Sequence, residues 1–124
     1  MITFDTGALV AIERRDRAML AFMTAALGVG ARITVPSVVV AEWWKGQRGP
    51  AARILDAVVI EPLSPLLAKI VGETLRDVPR ATLVDAVVVA SAARRGDVVL
   101  TSDLDDLSRI RDVAFPSVRV RRVG

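Results

Sequence analysis

The 124-residue chain contains no histidine, no cysteine and no tyrosine. These absences exclude a Ser-His-Asp or Cys-His nucleophile system, a zinc held by imidazole or thiolate, disulfides, and a nuclease built on paired histidines. If the chain is an enzyme, then carboxylates, hydroxyls, Lys or Arg and a bound metal must carry the chemistry. Aromatic residues make up only 4% against an apolar fraction of 52%, so the core must be built from Ala, Val and Leu. No apolar run reaches the roughly 18 to 20 residues of a membrane span; the longest, around Ala86 to Ala93, is interrupted by Ser91. Met1 leads straight into a strand pattern with no basic and apolar leader, and the lack of Cys suits a reducing compartment. The expectation is a soluble cytoplasmic protein with no membrane partner. Lysine is scarce too: Lys45 and Lys69 stand against fifteen arginines, and 14 acids leave a net charge of +3. Committing four of those acids to a metal would leave ten, a basic surface suited to polyanions, although codon usage alone would also produce an Arg- and Ala-rich chain.

The length fits a single domain, residues 1–124, and no repeat, low-complexity tract or linker interrupts it. Ile2 to Phe4 is a short apolar run tipped by Asp5, followed by Thr6, Gly7 and the helical pattern ALVAI. The segment ERRDR turns the chain, with Arg14, Arg15 and Arg17 read as a solvated face ahead of a phosphate site, and Ala18 to Leu27 is a second helix stopped by Gly28 and Gly30. Arg32 to Val35 is the second strand. Ser37 is a credible N-cap for the helix that carries Glu42, Trp43 and Trp44, and the two tryptophans must point to different sides. After a turn over Gln47 to Pro50 come a short helix (Ala51 to Ala57), a third strand (Val58 to Ile60), and a helix capped by Ser64 with Pro65 at its first position. The stretch from Ala81 to Leu107 organises the rest: a helix from about Thr82 to Arg95 with Asp85 in its first turn, a stop at Gly96, a strand over Val98 to Leu100, then TSD and Asp106. A short helix (Leu107 to Arg111) leads to the alternating basic edge strand VRVRRV.

Strands alternating with helices predict an α/β domain, a mainly parallel sheet of about five strands flanked by helices in three layers. Asp5 then follows the first strand, Asp103 the fourth, Asp85 opens the helix feeding the fourth, and Glu42 enters from the helix after the second. Right-handed crossovers place strand C-termini on one rim, where open α/β sheets bind ligands. Acids are not gathered for packing, because buried charge is costly; a cluster of hard oxygen donors suits Mg²⁺ or Mn²⁺.

The motifs FDTGALVAI, PSVVVAEWW, LVDAVVVASA and TSDLDDL, in this order and spacing, resemble the PIN domain, a metal-dependent nuclease fold, and in particular VapC-type toxins of bacterial toxin–antitoxin modules. The resemblance covers essentially the whole chain. It matches Asp5, Glu42, Asp85 and Asp103 to the family's acid quartet and Asp106 to a frequent additional acid, while Gly7 stands where relatives often carry Ser. It implies an endoribonuclease leaving 5′-phosphate and 3′-hydroxyl ends, usually dimeric, and neutralised by a cognate antitoxin lying across the early helices. The expected division of labour has Asp5 and Asp85 holding the cation most directly, Asp103 completing its shell and Glu42 orienting or deprotonating the attacking water. Thr6, Thr101, Ser102 and Asp106 are auxiliary, with Thr101 or Ser102 hydrogen-bonding a ligand or a substrate phosphate. Two rivals stand beside this. A non-catalytic RNA-binding or scaffolding domain would tolerate substitution of the acids; an acid-pocket phosphoryl-transfer domain would need paired acids after an early strand and a late lysine, which the sequence lacks.

Overall fold

The structure is a computed structural model and describes residues 1–123. In chain order the elements are β1 (Ile2–Phe4), α1 (Thr6–Glu13), α2 (Arg17–Gly28), β2 (Ile33–Pro36), α3 (Ser37–Trp43), α4 (Pro50–Arg53) with a 3₁₀ turn (Ile54–Ala57), β3 (Val59–Glu61), α5 (Pro65–Asp77), α6 (Leu83–Arg95), β4 (Val98–Thr101), α7 (Leu104–Ala114) and β5 (Arg119–Arg122). The alternation expected from the sequence is there, and every pairing in the five-stranded sheet is parallel. Parallel strands are covered on both faces, which is why β2 reads as a continuous buried run.

Strand order β3-β2-β1-β4-β5 fixes where a ligand can sit. The crossovers from β1 through β3 step one way across the sheet, and those from β4 to β5 step the other. Right-handed connections therefore put α1 to α4 on one face and α5 to α7 on the other. Between β1 and β4 the helices diverge, which opens a crevice outside the strand C-termini. Asp5 N–H donates to the Leu100 carbonyl at 3.2 Å, so the tips of the two strands are tied at that point.

Helix α6 is the central support. Its residues from Ala86 through Ala92 are all buried, and the small side chains Ala86, Ala90 and Ala92 allow close packing. Gly96, at φ 71°, ends it in the left-handed conformation that favours glycine. Phe4, Leu9, Val35, Val99, Leu107 and Ile110 belong to the main core, and Leu67 and Val71 of α5 close a second cluster against α6. Trp43 is buried and Trp44 is 43% exposed. Among the described residues no helix is long and apolar enough to cross a membrane.

Local corrections follow from physical causes. Ser37 is not a cap: β2 runs straight into α3, so Pro36, still paired with Glu61, takes the N-cap position without a side-chain cap bond. The expected helix over Ala51 to Ala57 splits into a turn of α-helix from Pro50 and a 3₁₀ turn, and the third strand is shifted by one residue to end at Glu61. The short helix expected from Leu107 begins at Leu104 and runs to Ala114. Asp105 and Asp106 read as loop residues in the sequence but occupy its first turn, where the partial positive charge of a helix N-terminus favours acids.

Candidate metal centre at the strand C-termini

Asp5 leaves β1 and caps α1, with its Oδ1 accepting the Ala8 N–H at 2.9 Å. It is only 5% exposed. Capping and membership of an acid cluster are thus combined in one carboxylate. Thr101, the last residue of β4 and fully buried, links two acids: its hydroxyl donates to Asp5 and accepts the Asp103 N–H at 2.8 Å. That hydroxyl is committed to positioning the acids and is shielded from any phosphate, whereas Ser102 is exposed and lines the cavity. Asp103 holds the N-cap position of α7 without using its side chain as a cap, which leaves the carboxylate free to face the cluster. Asp85 sits in the first turn of α6, where Thr82 Oγ1 accepts its N–H at 3.2 Å.

Carboxylate oxygens of Asp85, Asp103 and Asp106 all lie within 4.8 Å of one another. Asp5 lines the same cavity beside this group, and its charge is felt at Asp85. Glu42 also lines the cavity, from the α3 side, where the Thr6 hydroxyl donates to its Oε1. Asp106 is further engaged by Arg109 at 3.4 Å. The cavity holds about 630 Å³ and brings Asp5, Glu42, Asp85, Asp103, Thr6 and Ser102 onto one wall system.

The electrostatics are those of acids forced together. Burial pushes Asp85 up to about 6, and Asp103, Asp5 and Asp106 add to the shift while the Thr82 hydroxyl opposes it. Asp5 is raised chiefly by burial, against the bonds it accepts from Thr101 and Ala8. Asp103 is raised first by its hydrogen-bonded contact with Asp106. Three converging carboxylates, all oxygen donors, fit a hard divalent cation such as Mg²⁺ or Mn²⁺, whose charge would relieve their mutual repulsion.

Three parts of this site escape a reading of the sequence. Asp106, expected to be auxiliary, stands inside the closest acid group. Thr82 pairs with Asp85 as the T-x-x-D pattern of a capping box, a signal present in the sequence. The third is a steric relation: a Cβ built on Gly7 would lie 1.9 Å from Ser102 Oγ and 2.6 Å from Ser102 Cβ. Ser102 therefore occupies the space a side chain at position 7 would fill. Gly7→Ala is expected to destabilise the fold by about 1–3 kcal/mol through overpacking. Ser102→Gly in the same chain should recover most of that loss in thermal unfolding; additive losses would show that the two positions do not compete for one space.

No family model and no curated protein matches the sequence. Solved structures do match. A chain of VapBC2 from Rickettsia felis, bound to a DNA fragment from its promoter, aligns with a TM-score of 0.73 at 15% identity over 100% of both chains. DNA-bound VapBC from Salmonella typhimurium aligns at 0.74 and 17% identity, over 98% of this chain and 96% of that one. Mycobacterium tuberculosis VapC20, a toxin that cleaves the sarcin-ricin loop, aligns at 0.58 and 18% identity over 80% and 87%. At such identities the likeness is one of fold, and the chain has the PIN-like fold that these VapBC and VapC20 structures share.

Proposed function

We propose that this protein is a divalent-metal-dependent endoribonuclease that acts as the toxin of a toxin–antitoxin pair. The observation that carries the proposal is the meeting of Asp85, Asp103 and Asp106 at the β1/β4 crevice, in a cavity also lined by Asp5 and Glu42. The fold shared with a toxin that cleaves an RNA loop supports it.

Asp85 and Asp103 would hold the cation with Asp5 or Asp106 completing its oxygen shell, and a bound Mg²⁺ or Mn²⁺ supplies Lewis-acid polarisation and a water of lowered pKa. Thr101 ties the Asp5 carboxylate to the backbone of Asp103, so the strand tips that carry the two acids are held together before substrate arrives. Glu42, whose Oε1 accepts the Thr6 hydroxyl, would orient the attacking water or accept its proton. Ser102 is the hydroxyl exposed to a scissile phosphate. VapBC assemblies with this fold support a cognate antitoxin as partner. An antitoxin arginine reaching the acids would inhibit by competing for the same negative charge. A homodimer in the cytoplasm is the assembly and setting that accompany this function.

The test is cleavage of a total small-RNA pool by purified protein in Mg²⁺ or Mn²⁺ and in EDTA. Discrete fragments with 5′-phosphate ends are expected with metal and none with EDTA. RNA bound but uncut in every metal would favour the non-catalytic RNA-binding domain.

A further inference from the structure

The sheet has two open edges, and their chemistry differs. In the order β3-β2-β1-β4-β5, no described strand lies beyond β3 or beyond β5. On β3, Val59 and Ile60 are exposed, and the one charged residue, Glu61, is taken up by Arg95 and Ser91. On β5, Arg119, Arg121 and Arg122 are all exposed, with Val120 partly buried among them. None of these three arginines makes an ion pair with a described residue, and no acid follows Asp112 in the sequence. The β5 edge is therefore a backbone row with uncompensated positive charge.

One bond sets the direction of that row. The Val123 N–H donates to the Thr101 carbonyl at 2.8 Å, so Val123 turns its peptide groups toward β4. Successive residues of a strand turn these groups to alternate sides, so Arg119 and Arg121 also face β4, while Val120 and Arg122 present N–H and C=O to the open side. Side chains alternate between the faces of the sheet: Arg119 and Arg121 share one face and Arg122 takes the other. On the α2 side the edge is not sealed, since Met19 and Phe22 leave a hollow of about 110 Å³ against Leu100, Arg121 and Val123. A strand added here would meet positive charge on both of its faces.

Charge decides which strand that is. A second copy of β5 would set arginine against arginine, which is how charged edges guard a sheet against pairing with itself. The same arrangement admits a strand of opposite sign. A nucleic acid is a poorer match, because its phosphates could accept from the Val120 and Arg122 N–H groups but would also meet the carbonyl oxygens beside them. A peptide strand supplies donors and acceptors in the alternation the edge requires. We propose that the outer edge of β5 is a docking site for an extended acidic segment of a partner protein, which joins the sheet as a sixth strand. Its acids lie across from Arg119, Arg121 and Arg122, and an apolar residue lies across from Val120, giving the frame Glu-Val-Glu-Glu for a parallel strand and the reverse for an antiparallel one. The site goes beyond the ribonuclease function and does not depend on it.

The experiment is binding of short fluorescein-labelled peptides carrying either frame to the full chain, followed by anisotropy at low salt. One of the two peptides should bind, and Arg119→Gln or Arg122→Gln should each weaken it about threefold, the effect of a cross-strand charge pair. Arg119→Glu with Arg121→Glu should reject that peptide and accept its lysine counterpart. Methylating the peptide amides that face β5 should abolish binding, whereas methylating the alternate amides should not. In the amide exchange of the protein, Val120 and Arg122 should slow about tenfold on binding, while Arg121 and Val123, already bonded to β4, stay unchanged. A single-stranded RNA should leave Val120 and Arg122 unprotected. The site is overturned if neither peptide binds, if binding survives the charge reversal or the methylation facing β5, or if exchange at Val120 and Arg122 does not slow. Protection of those two amides by the RNA would assign the edge to polyanions in place of a peptide. RNA cleavage enters none of these readings, so the ribonuclease function stands or falls separately.

Discussion

The Asp85→Asn chain is expected to lose metal-dependent RNA cleavage by more than a hundredfold and, without metal, to be more stable than the unmodified protein at pH 7. The first half follows from position. Substituting residues that merely support a metal ligand costs about 10–100-fold, and the proposed function makes Asp85 a ligand itself. The second half follows from the charge it carries. A helix N-terminus favours an ionised acid, yet burial and the neighbouring Asp103, Asp5 and Asp106 outweigh that help and push Asp85 up to about 6 from an ordinary 3.8. Between those values the folded protein holds a proton that the unfolded chain has released. Stability therefore falls as pH rises from about 4 through 6, and above that range the folded state carries an ionised carboxylate it disfavours. An isosteric amide removes this penalty. Thermal melts in EDTA should show the unmodified protein losing Tm between pH 5 and 7.5, and Asp85→Asn losing less, with Asp5 and Asp103 supplying the remaining slope. Adding Mg²⁺ should raise the Tm of the unmodified protein at pH 7.5 and leave the variant nearly unmoved, since only a cation bound by the folded state stabilises it. A variant that melts lower than its parent at pH 7.5 in EDTA would mean that Asp85 is a structural acid, and retained cleavage would remove it from the site.

What could be foreseen from the chain, and what could not, divides along the range of the interactions involved. Asp5, Asp85 and Asp103 are legible because each sits beside a local signal: a strand end before Thr-Gly, the first turn of a long apolar helix, and the TSD after an apolar run. The α/β alternation is legible for the same reason, and it carries the prediction that strand C-termini share a rim. The pairing of β1 with β4 is not written in any local pattern, and the contact between Gly7 and Ser102, 95 positions apart, exists only because those strands are neighbours. A sequence reading sees Gly7 as a missing hydroxyl; the fold shows Ser102, just past the end of β4, filling the space beside it. The sequence ranks Asp106 as auxiliary because its position depends on where α7 starts. Once the helix begins at Leu104, residues 103 and 106 are one turn apart and face the same crevice, whereas a helix starting at Leu107 would leave Asp106 in a loop. The Arg14 cluster divides likewise, since only the end of α1 decides which arginine lines the cavity.

Away from the site, Arg95→Met is expected to produce the largest loss of stability of any single substitution considered for this protein. Arg95, at the end of α6, reaches beneath the sheet: its Nε donates to Asp97 Oδ2 at 2.9 Å, one terminal nitrogen pairs with Glu61, and the other donates to Thr3 Oγ1 at 2.8 Å. The Asp97 side chain is only 1% exposed. The Thr3 hydroxyl and the Met1 amino group also reach it, and Ser91 Oγ donates to Glu61 at 2.7 Å. One guanidinium thus joins α6 to β1, β3 and the start of β4, at the end of β1 and β4 opposite the acids. Removing a single partner from a buried ionic group costs about 3–5 kcal/mol, because the remaining charge stays buried. The contacts Asp97 retains from Met1 and Thr3 place Arg95→Met near the lower bound, about 3 kcal/mol, which for a domain of this size is a fall of roughly 10 °C in Tm. Asp97→Asn added to Arg95→Met should restore part of the loss, since it removes the uncompensated charge and leaves a group that Thr3 can still satisfy. Cleavage per folded molecule, measured well below the transition, should be unchanged, since the network contributes no side chain to the acid cavity. A Tm within a degree or two of the parent would show that the network is solvated and contributes little. Loss of cleavage at full folding would show instead that the packing of α6 against β1 sets the position of Asp85, and that the two ends of the helix are coupled.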